Sequence, residues 1–230
     1  MQIQVERIDL RFPLNLLVRG VEVIQQPDTL LSLESLNVRV QAWPLLKGKV
    51  EVDEVTLSQV AVNSANLIEG MQIKGVLGRF FLQSHGVDLS NETAVVNRTE
   101  LSDTHIQLLM TDTTTTPKDT TASAPVNWKV NLHQLKLKNV SFGMKLPADS
   151  MKMAAYIGEA TIDDAKADLK NQFYGLKQFL LSGASASYDT GEAQPSEGFD
   201  ASHMAVRNIR IGLDLSLIHI SEPTRPRLIS

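Results

Sequence analysis

Apolar residues in this chain come in pairs two positions apart, and successive pairs begin five positions apart. The clearest run covers residues 50–62, and a second covers residues 130–142. A helix would repeat its apolar residues at i, i+3, i+4 and i+7, which this spacing does not do. A step of two indicates a strand with one apolar face, and the three-residue step between pairs predicts a bulge or tight turn that restores that face. The chain is therefore predicted to be all-β.

Two stretches depart from this spacing. Residues 42–48 carry Pro44 followed by two leucines and a closing Gly48, which predicts one helical turn between strands. Residues 163–181 mix helical spacing with alternation, so local propensity favours a helix slightly. The internal repeat described next favours strand, turn, strand for this stretch, and we adopt that interpretation. The fold class expected is mostly β with one or two short helical turns.

A gapless internal repeat relates positions 80 residues apart. The apolar residues of 50–62 fall on those of 130–142, and Gly78 falls on Gly158. Between the two copies lies a Thr-rich stretch that has too little apolar surface to bury and is expected to be a flexible loop. The resulting division is 1–110 for a first β-groove unit, 111–125 for the Thr-rich loop, 126–190 for a second unit repeating about 50–108, 191–198 for a loop, 199–214 for the start of a third unit and 215–230 for an artificial tail.

Composition excludes several classes of function. The net charge is −4, and the basic residues are sparse and not interleaved with aromatics, so no nucleic-acid partner is expected. No cysteine is present, which excludes disulfides, thiolate zinc sites and cysteine nucleophiles. Five histidines occur, but no two lie at i, i+2 or i, i+4, so no metal ligands are predicted.

The strongest candidates for acid–base chemistry are the carboxylates Glu159, Asp163, Asp164 and Asp168. They stand among lysines in a polar stretch, which is typical of a solvated turn. Residues 75–78 contain two glycines, but they lack the residues of a phosphate-binding loop. We therefore predict no enzyme: no catalytic residues, no cofactor-binding residues, no cofactor and no metal site.

A repeated run of half-apolar strands has to cover its apolar face. The residues leave three closures open: a sandwich, a solenoid, or a long trough with an aliphatic lining. A trough would suit acyl chains, because each buried CH₂ contributes about 0.8 kcal/mol without specifying a direction. The residues predicted to line such a groove are Val50, Val52, Val55, Leu57, Val130, Leu132, Leu135 and Leu137.

The chain also resembles a known family. Residues 28–31 (Asp-Thr-Leu-Leu), followed by residues 43–48 (Trp-Pro-Leu-Leu-Lys-Gly) before a β pair, resemble the start of a TamB/AsmA-like translocation and assembly module protein. Residues 198–203 resemble a recurring family phrase, with Ala201 where Pro is usual. The similarity covers about residues 2–214. It is to the periplasmic region after the N-terminal membrane anchor in the large form found in Bacteroidota.

This resemblance implies a fold, a location and partners. The fold is an elongated β-groove, or β-taco, and the function is non-enzymatic cell-envelope biogenesis between the inner and outer membranes of a Gram-negative bacterium. The expected activities are phospholipid transport and outer-membrane protein assembly and secretion. The partners are phospholipid acyl chains, a TamA/BamA-type outer-membrane β-barrel protein, and the inner membrane through an N-terminal anchor missing from this chain. The family carries over no catalytic residues.

An alternative function remains open: a secreted or surface β-solenoid or β-sandwich that serves as a structural or adhesion module. In that case the same aliphatic residues would form a closed core and carry no lipid. A carbohydrate-active enzyme using the acidic cluster ranks below both, because aromatic residues make up only 5% of the chain.

Both ends of the chain have features of a piece of a longer protein. Residues 2–10 show strand spacing from the start, so Met1 is interpreted as an internal methionine. Residues 215–225 (Leu-Ser-Leu-Ile-His-Ile-Ser-Glu-Pro-Thr-Arg) resemble a translated sequencing adaptor. We expect native sequence to end near Asp214.

Overall fold

Eleven strands form a single sheet in the part of the chain that the computed structural model describes. The structure describes residues 1–12, 14–41, 43–44, 52–65, 67, 70–88, 92–110, 127–147, 150–191 and 202–215. The strands are β1 (Gln2–Arg11), β2 (Asn15–Gln25), β3 (Asp28–Val40), β4 (Val52–Asn63), β5 (Met71–Asp88), β6 (Thr93–Met110), β7 (Lys129–Leu146), β8 (Met151–Asp168), β9 (Phe173–Gly175), β10 (Gln178–Asp189) and β11 (His203–Asp214).

The strands follow one another across the sheet almost in chain order. The order is β1-β2-β3-β4-β5-β6-β7-β8-β10-β11, and the short β9 pairs with β8. The sheet is curled but does not close on itself. The all-β fold class predicted from the apolar spacing is confirmed.

The pairing of β6 with β7 is parallel, whereas the other neighbouring strands pair antiparallel. The element order explains the exception. Strands β4, β5 and β6 alternate in direction, so β6 runs the same way as β4. Strand β7 has the apolar spacing of β4 at an offset of 80 residues, and it runs in the same direction as β4. It is therefore parallel to β6, its neighbour in the sheet.

The three-residue steps between apolar pairs are single-residue irregularities within continuous strands, which we call bulges although neighbouring strands stay in register across them. Gln59 lies in such a step in β4 and Asn139 in the equivalent step in β7, both with left-handed backbone (φ 48° and 52°). A residue inserted in this way makes the apolar side chains before and after it face the same side. The predicted restoration of the face is therefore achieved by bulges rather than by turns.

The bulge residues and the residues opposite them on neighbouring strands form a line across the sheet. We call this line the crease. In the register between β4 and β5, Gln59 stands opposite Gly78, because Ser58 pairs with Arg79 and Val60 with Leu77. A bulge bends its strand and increases the local twist, so a continuous line of such positions bends the whole sheet. In strand order, the crease contains Glu6, Gly20, Glu34, Gln59, Gly78, Asp103, Asn139, Gly158 and Gly183.

Two crease glycines are required by close approach rather than by backbone angle. A Cβ on Gly78 would lie 2.7 Å from the Cβ of Asp103 and 3.0 Å from its carbonyl oxygen. A Cβ on Gly158 would lie 3.0 Å from the Ser182 carbonyl oxygen. A side chain at either of these two positions would therefore press against the backbone of the neighbouring strand.

The two stretches that departed from the strand spacing have different outcomes. Residues 163–181 form the end of β8, a turn, β9 and the start of β10, so strand, turn, strand is correct. Of the predicted helical turn at 42–48, Trp43 and Pro44 have helical backbone, and the rest lies outside the described residues. The loop at 111–125, most of the loop at 191–198 and the tail beyond Leu215 also lie outside them.

In the described part of the chain, no helix has the length and apolar character needed to span a membrane. No large side chain there is fully buried either, and the strands pack extensively only against their neighbours in the sheet. The sheet is a single layer, and one of its faces is the candidate site.

Candidate functional site: an apolar face without a covering layer

One face of the sheet is apolar from edge to edge. The register between strands aligns apolar residues into rows that cross all ten strands of the main path. One row contains Leu10, Leu16, Val38, Val55, Leu82, Thr99, Leu135, Ile162, Phe179 and Leu213. The next contains Ile8, Val18, Leu36, Leu57, Phe80, Leu101, Leu137, Ala160, Leu181 and Ile211.

The apolar rows continue on the far side of the crease, because each bulge keeps the apolar side chains of its strand on the same side of the sheet. The row adjoining the crease there contains Val5, Val21, Leu33, Val60, Leu77, Thr104, Val140 and Ile157. The row after it contains Ile3, Val23, Leu31, Val62, Gly75, Ile106, Phe142, Ala155, Ala186 and Val206. Nine steps between neighbouring strands, at about 4.8 Å each, make the apolar face about 43 Å wide along the sheet.

The opposite face is polar beside the crease and mixed beyond it, where it also carries Val76 and Ala154. Directly beside the crease it carries a row in which only Arg, Lys, Glu and Ser occur. In strand order these residues are Arg7, Arg19, Ser35, Ser58, Arg79, Ser102, Lys138, Glu159 and Ser182. The sheet is thus amphipathic as a whole, with one wetted face and one apolar face.

Side chains of the apolar face stay partly exposed even in central strands. Ile106 in β6 is 39% exposed and Phe142 in β7 is 41% exposed. Soluble proteins rarely leave a large contiguous apolar area open unless a ligand or partner covers it. The apolar face therefore has the character of a binding surface.

The structure brings the predicted lining residues together on this face. Val55 and Leu135, 80 positions apart in sequence, share one row, and Leu57 and Leu137 share the next. Val52, Val130 and Leu132 also belong to this face, and all seven are half-buried. Val50 lies outside the described residues.

The prediction from sequence missed the contribution of β5, β6 and β8. Phe80 and Leu82 of β5 and Ile162 of β8 lie on the apolar face between or beside the predicted residues. The signal was present, because Leu77, Phe80 and Leu82 repeat the three-then-two spacing. A glycine at position 75, where an apolar residue would continue the pattern, obscured it.

The carboxylates considered for acid–base chemistry are dispersed among local partners. Asp163 accepts a hydrogen bond from the side-chain amide of Gln134 at 3.1 Å. The Oδ1 of Asp164 lies 3.1 Å from the Nδ1 of His133, and its Oδ2 lies 3.6 Å from the Nζ of Lys177. Asp168 accepts hydrogen bonds from the backbone and side chain of Asn171 at 3.0 and 2.8 Å.

These partners lower the pKa of two of the carboxylates, Asp164 and Asp168. The hydrogen bond with His133, aided by the charge of Lys177, lowers the pKa of Asp164 below its ordinary value of 3.8. The backbone hydrogen bond from Asn171 lowers the pKa of Asp168. A general acid needs a raised pKa to hold its proton near neutral pH, so neither residue suits that role. Among the described residues, no cluster of three or more His, Asp or Glu side chains is arranged to bind a metal ion.

Comparison with known proteins does not assign a family. No protein-family model matches the chain, and no curated protein matches it.

Proposed function

We propose that this chain is part of a non-enzymatic cell-envelope biogenesis protein whose apolar face guides phospholipid acyl chains between membranes. The observation that supports this proposal is the continuity of the apolar face, which crosses ten strands without a break. Its width of about 43 Å exceeds the roughly 15 Å of hydrocarbon in one bilayer leaflet, so the face has room for whole acyl chains.

The chemistry of the face suits acyl chains in particular. Its rows consist of Val, Leu, Ile, Phe and small residues, with threonine as the polar exception, so they do not fix the orientation of a ligand along the face. Each methylene that leaves water contributes about 0.8 kcal/mol, which allows a chain to slide without losing contact energy. The same property suits the apolar face of a nascent β-strand, which is the second client class of this proposal.

The envelope location rests on the resemblance of residues 2–214 to TamB/AsmA-like proteins. In this proposal the protein is anchored in the inner membrane of a Gram-negative bacterium and extends through the periplasm. Its outer-membrane partner is a TamA/BamA-type β-barrel protein. The chain acts as a conduit and carries out no bond chemistry.

The test introduces a charge on the apolar face and asks whether lipid contact is lost. Val55→Asp and Leu135→Asp lie in one row of that face, and Ser58→Asp is a matched control on the polar face of β4. With a phospholipid that carries a photoreactive acyl chain, we expect crosslinking to fall about tenfold or more in the first two variants, because an unpaired carboxylate against hydrocarbon costs several kcal/mol. Ser58→Asp should crosslink like the wild type, and circular dichroism would verify folding of all three.

Wild-type crosslinking in folded Val55→Asp and Leu135→Asp would refute the proposal. Mass spectrometry of organic extracts from the gently purified chain gives an independent readout. Co-purified phospholipid is expected. Its absence, together with wild-type crosslinking in both variants, would favour a structural or adhesion module.

A further inference from the structure

A cleft of about 1080 Å³ lies on the far side of the crease. Residues of β5, β6, β7, β8, β10 and β11 line it. It is lined by consecutive residues of β7 (141–145) and β8 (152–156), so backbone as well as side chains form its surface. The residues predicted to line the lipid groove take no part in it.

A row of small side chains opens this cleft. Gly143 pairs with Ala154, and Ala154 pairs with Ser187, so three adjacent strands present almost no side-chain bulk at the same level. Longer side chains border the row on both sides. Tyr156 and His105 stand on one side, and Lys145 and Lys152 stand on the other.

The cleft is strongly cationic in a chain whose net charge is −4. Among the described residues, its lining includes four permanent cations and one carboxylate, Asp189. That carboxylate is already engaged, because its Oδ1 lies 2.9 Å from the Nδ1 of His203 and accepts a hydrogen bond from the Gly191 backbone N–H at 2.8 Å. The cations are Lys74, Lys145, Lys152 and Arg207, and none of their side chains forms an ion pair or hydrogen bond with another residue in the described part of the chain.

The placement of two of these cations is unfavourable for the isolated sheet. Lys145 and Lys152 are directly opposite each other in the antiparallel β7–β8 pair, and Asp189 stands opposite Lys152 in β10 without forming an ion pair with it. Side chains in that relation have Cβ atoms about 4.5–5.5 Å apart, and like charges there destabilise the sheet. A ligand that supplies negative charge between them would convert this repulsion into attraction.

We propose that this cleft binds a phosphate group, carried either by a phospholipid headgroup or by a soluble phosphate ester. Phosphate oxygens accept short, charge-assisted hydrogen bonds from lysine ammonium groups, and an arginine guanidinium binds them with two parallel bonds. Lys145 and Lys152 hold the phosphate from one side of the row of small residues. Arg207 of β11 adds positive charge at the far end of the cleft.

The cations of this site project from the face opposite the proposed lipid-guiding face, although Phe142, Ala155 and Val206 of that face also line the cleft. Along β7, Ser141 and Lys145 alternate with Phe142 and Met144, so the lysines project from the polar face and the apolar residues from the other. The two proposals therefore fail independently, since charges on the apolar face and neutralisation of the cleft change different surfaces.

The experiment compares a cleft variant with a charge-matched control on the same strand. Lys145→Gln with Lys152→Gln removes the like-charge pair, and Lys136→Gln with Lys138→Gln removes two exposed cations from the polar face of β7 outside the cleft. Binding would be measured by calorimetry with inorganic phosphate and with glycerol 3-phosphate. Flotation would measure binding to phosphatidylcholine vesicles with or without about 20% phosphatidylglycerol, which gives the vesicle surface a negative charge.

We expect the cleft variant to bind its phosphate-bearing ligand about 10- to 30-fold more weakly than the wild type, and the control variant to change by about twofold or less. Preference for phosphatidylglycerol vesicles identifies a lipid headgroup as the source. Binding of glycerol 3-phosphate without that preference identifies a soluble ester. The proposal is overturned if the wild type binds none of these probes, or if the cleft and control variants lose affinity equally.

A second measurement guards against misfolding of the cleft variant. Because the substitutions remove a repulsive pair, the variant should melt at the same temperature as the ligand-free wild type or at a higher one. Saturating phosphate should raise the melting temperature of the wild type and leave that of the variant unchanged.

Discussion

Strands β4 to β6 and strands β7 to β10 are two versions of the same arrangement. Strand β5 spans Met71–Asp88 and β8 spans Met151–Asp168, an offset of 80 at both ends. The left-handed residues Gln59 and Asp103 of the first version have Asn139 and Gly183 at the same offset in the second. Backbone geometry and the apolar face are thus repeated, which shows that the bulge positions are the invariant part of the arrangement.

The polar face differs between the two versions. Lys74 of β5 corresponds to Ala154 of β8, which belongs to the row of small residues in the cationic cleft. A second difference lies at a buried position: Ser84, which is 5% exposed, donates a hydrogen bond to the Val52 carbonyl, whereas its exposed counterpart Asp164 pairs with His133 and Lys177. A solvated face tolerates such changes because it is not constrained by a covering layer, and it can therefore acquire a binding site in one copy alone.

The largest expected effect comes from filling the crease. In Gly78→Ala the new methyl group would lie 2.7 Å from the Asp103 Cβ, and in Gly158→Ala it would lie 3.0 Å from a backbone oxygen. We expect losses in the free energy of unfolding of about 2–3 kcal/mol for Gly78→Ala and about 1–2 kcal/mol for Gly158→Ala. Urea denaturation measures both. Gly143→Ala is the control, because its nearest neighbour would lie 3.9 Å away, and equal stability of all three variants would contradict the crease geometry.

A smaller effect should separate the two left-handed bulge residues. Gln59 is not suited to positive φ, so Gln59→Gly should stabilise the protein by about 0.5 kcal/mol once the greater chain entropy of glycine is included. Asn139 tolerates positive φ better, and its side-chain amide donates a hydrogen bond to Asp103 Oδ1 at 2.8 Å. Asn139→Gly should therefore destabilise the protein by about 1 kcal/mol. Thermal unfolding of the two variants should show shifts of opposite sign, and shifts of the same sign would refute the distinction.

The smallest effect concerns the ion pair that only the second version has. Because the pKa of Asp164 is lowered on folding, its contribution to stability is present above 3.8 and is lost as the pH falls through the lower pKa of the folded state. Asp164→Asn should therefore melt slightly below the wild type at pH 6 and at the same temperature at pH 2. Melting curves across this range test it, and a difference that persists undiminished at pH 2 would show that the ion pair is not its cause.

Much of the fold was predictable from local spacing. The steps from Leu57 to Val60 and from Leu137 to Val140 predicted interrupted strands with a single apolar face, and both strands have it. The repeat also resolved residues 163–181, where helical and strand spacing competed. These inferences succeeded because alternation of side chains is set within each strand by its own backbone.

The cationic cleft was not predictable in the same way. Lys145 is one of a few scattered lysines in the sequence, and nothing local pairs it with Lys152. Their opposition arises from the register of the β7–β8 hairpin, which is set by the type and length of its turn. The parallel pairing of β6 with β7 is nonlocal, because it joins two strands that residues 111–128 separate in the sequence.

The sequence by itself determined that the chain forms strands and which side chains share a face, since both follow from a two-residue period. Only the tertiary structure decided that the bulges align into one crease, that the sheet curls without closing, and that the apolar face has no second layer in the described residues. The physical reason is that twist and bend accumulate across ten strands. Their sum depends on the register of each neighbouring pair, which no single stretch of residues specifies.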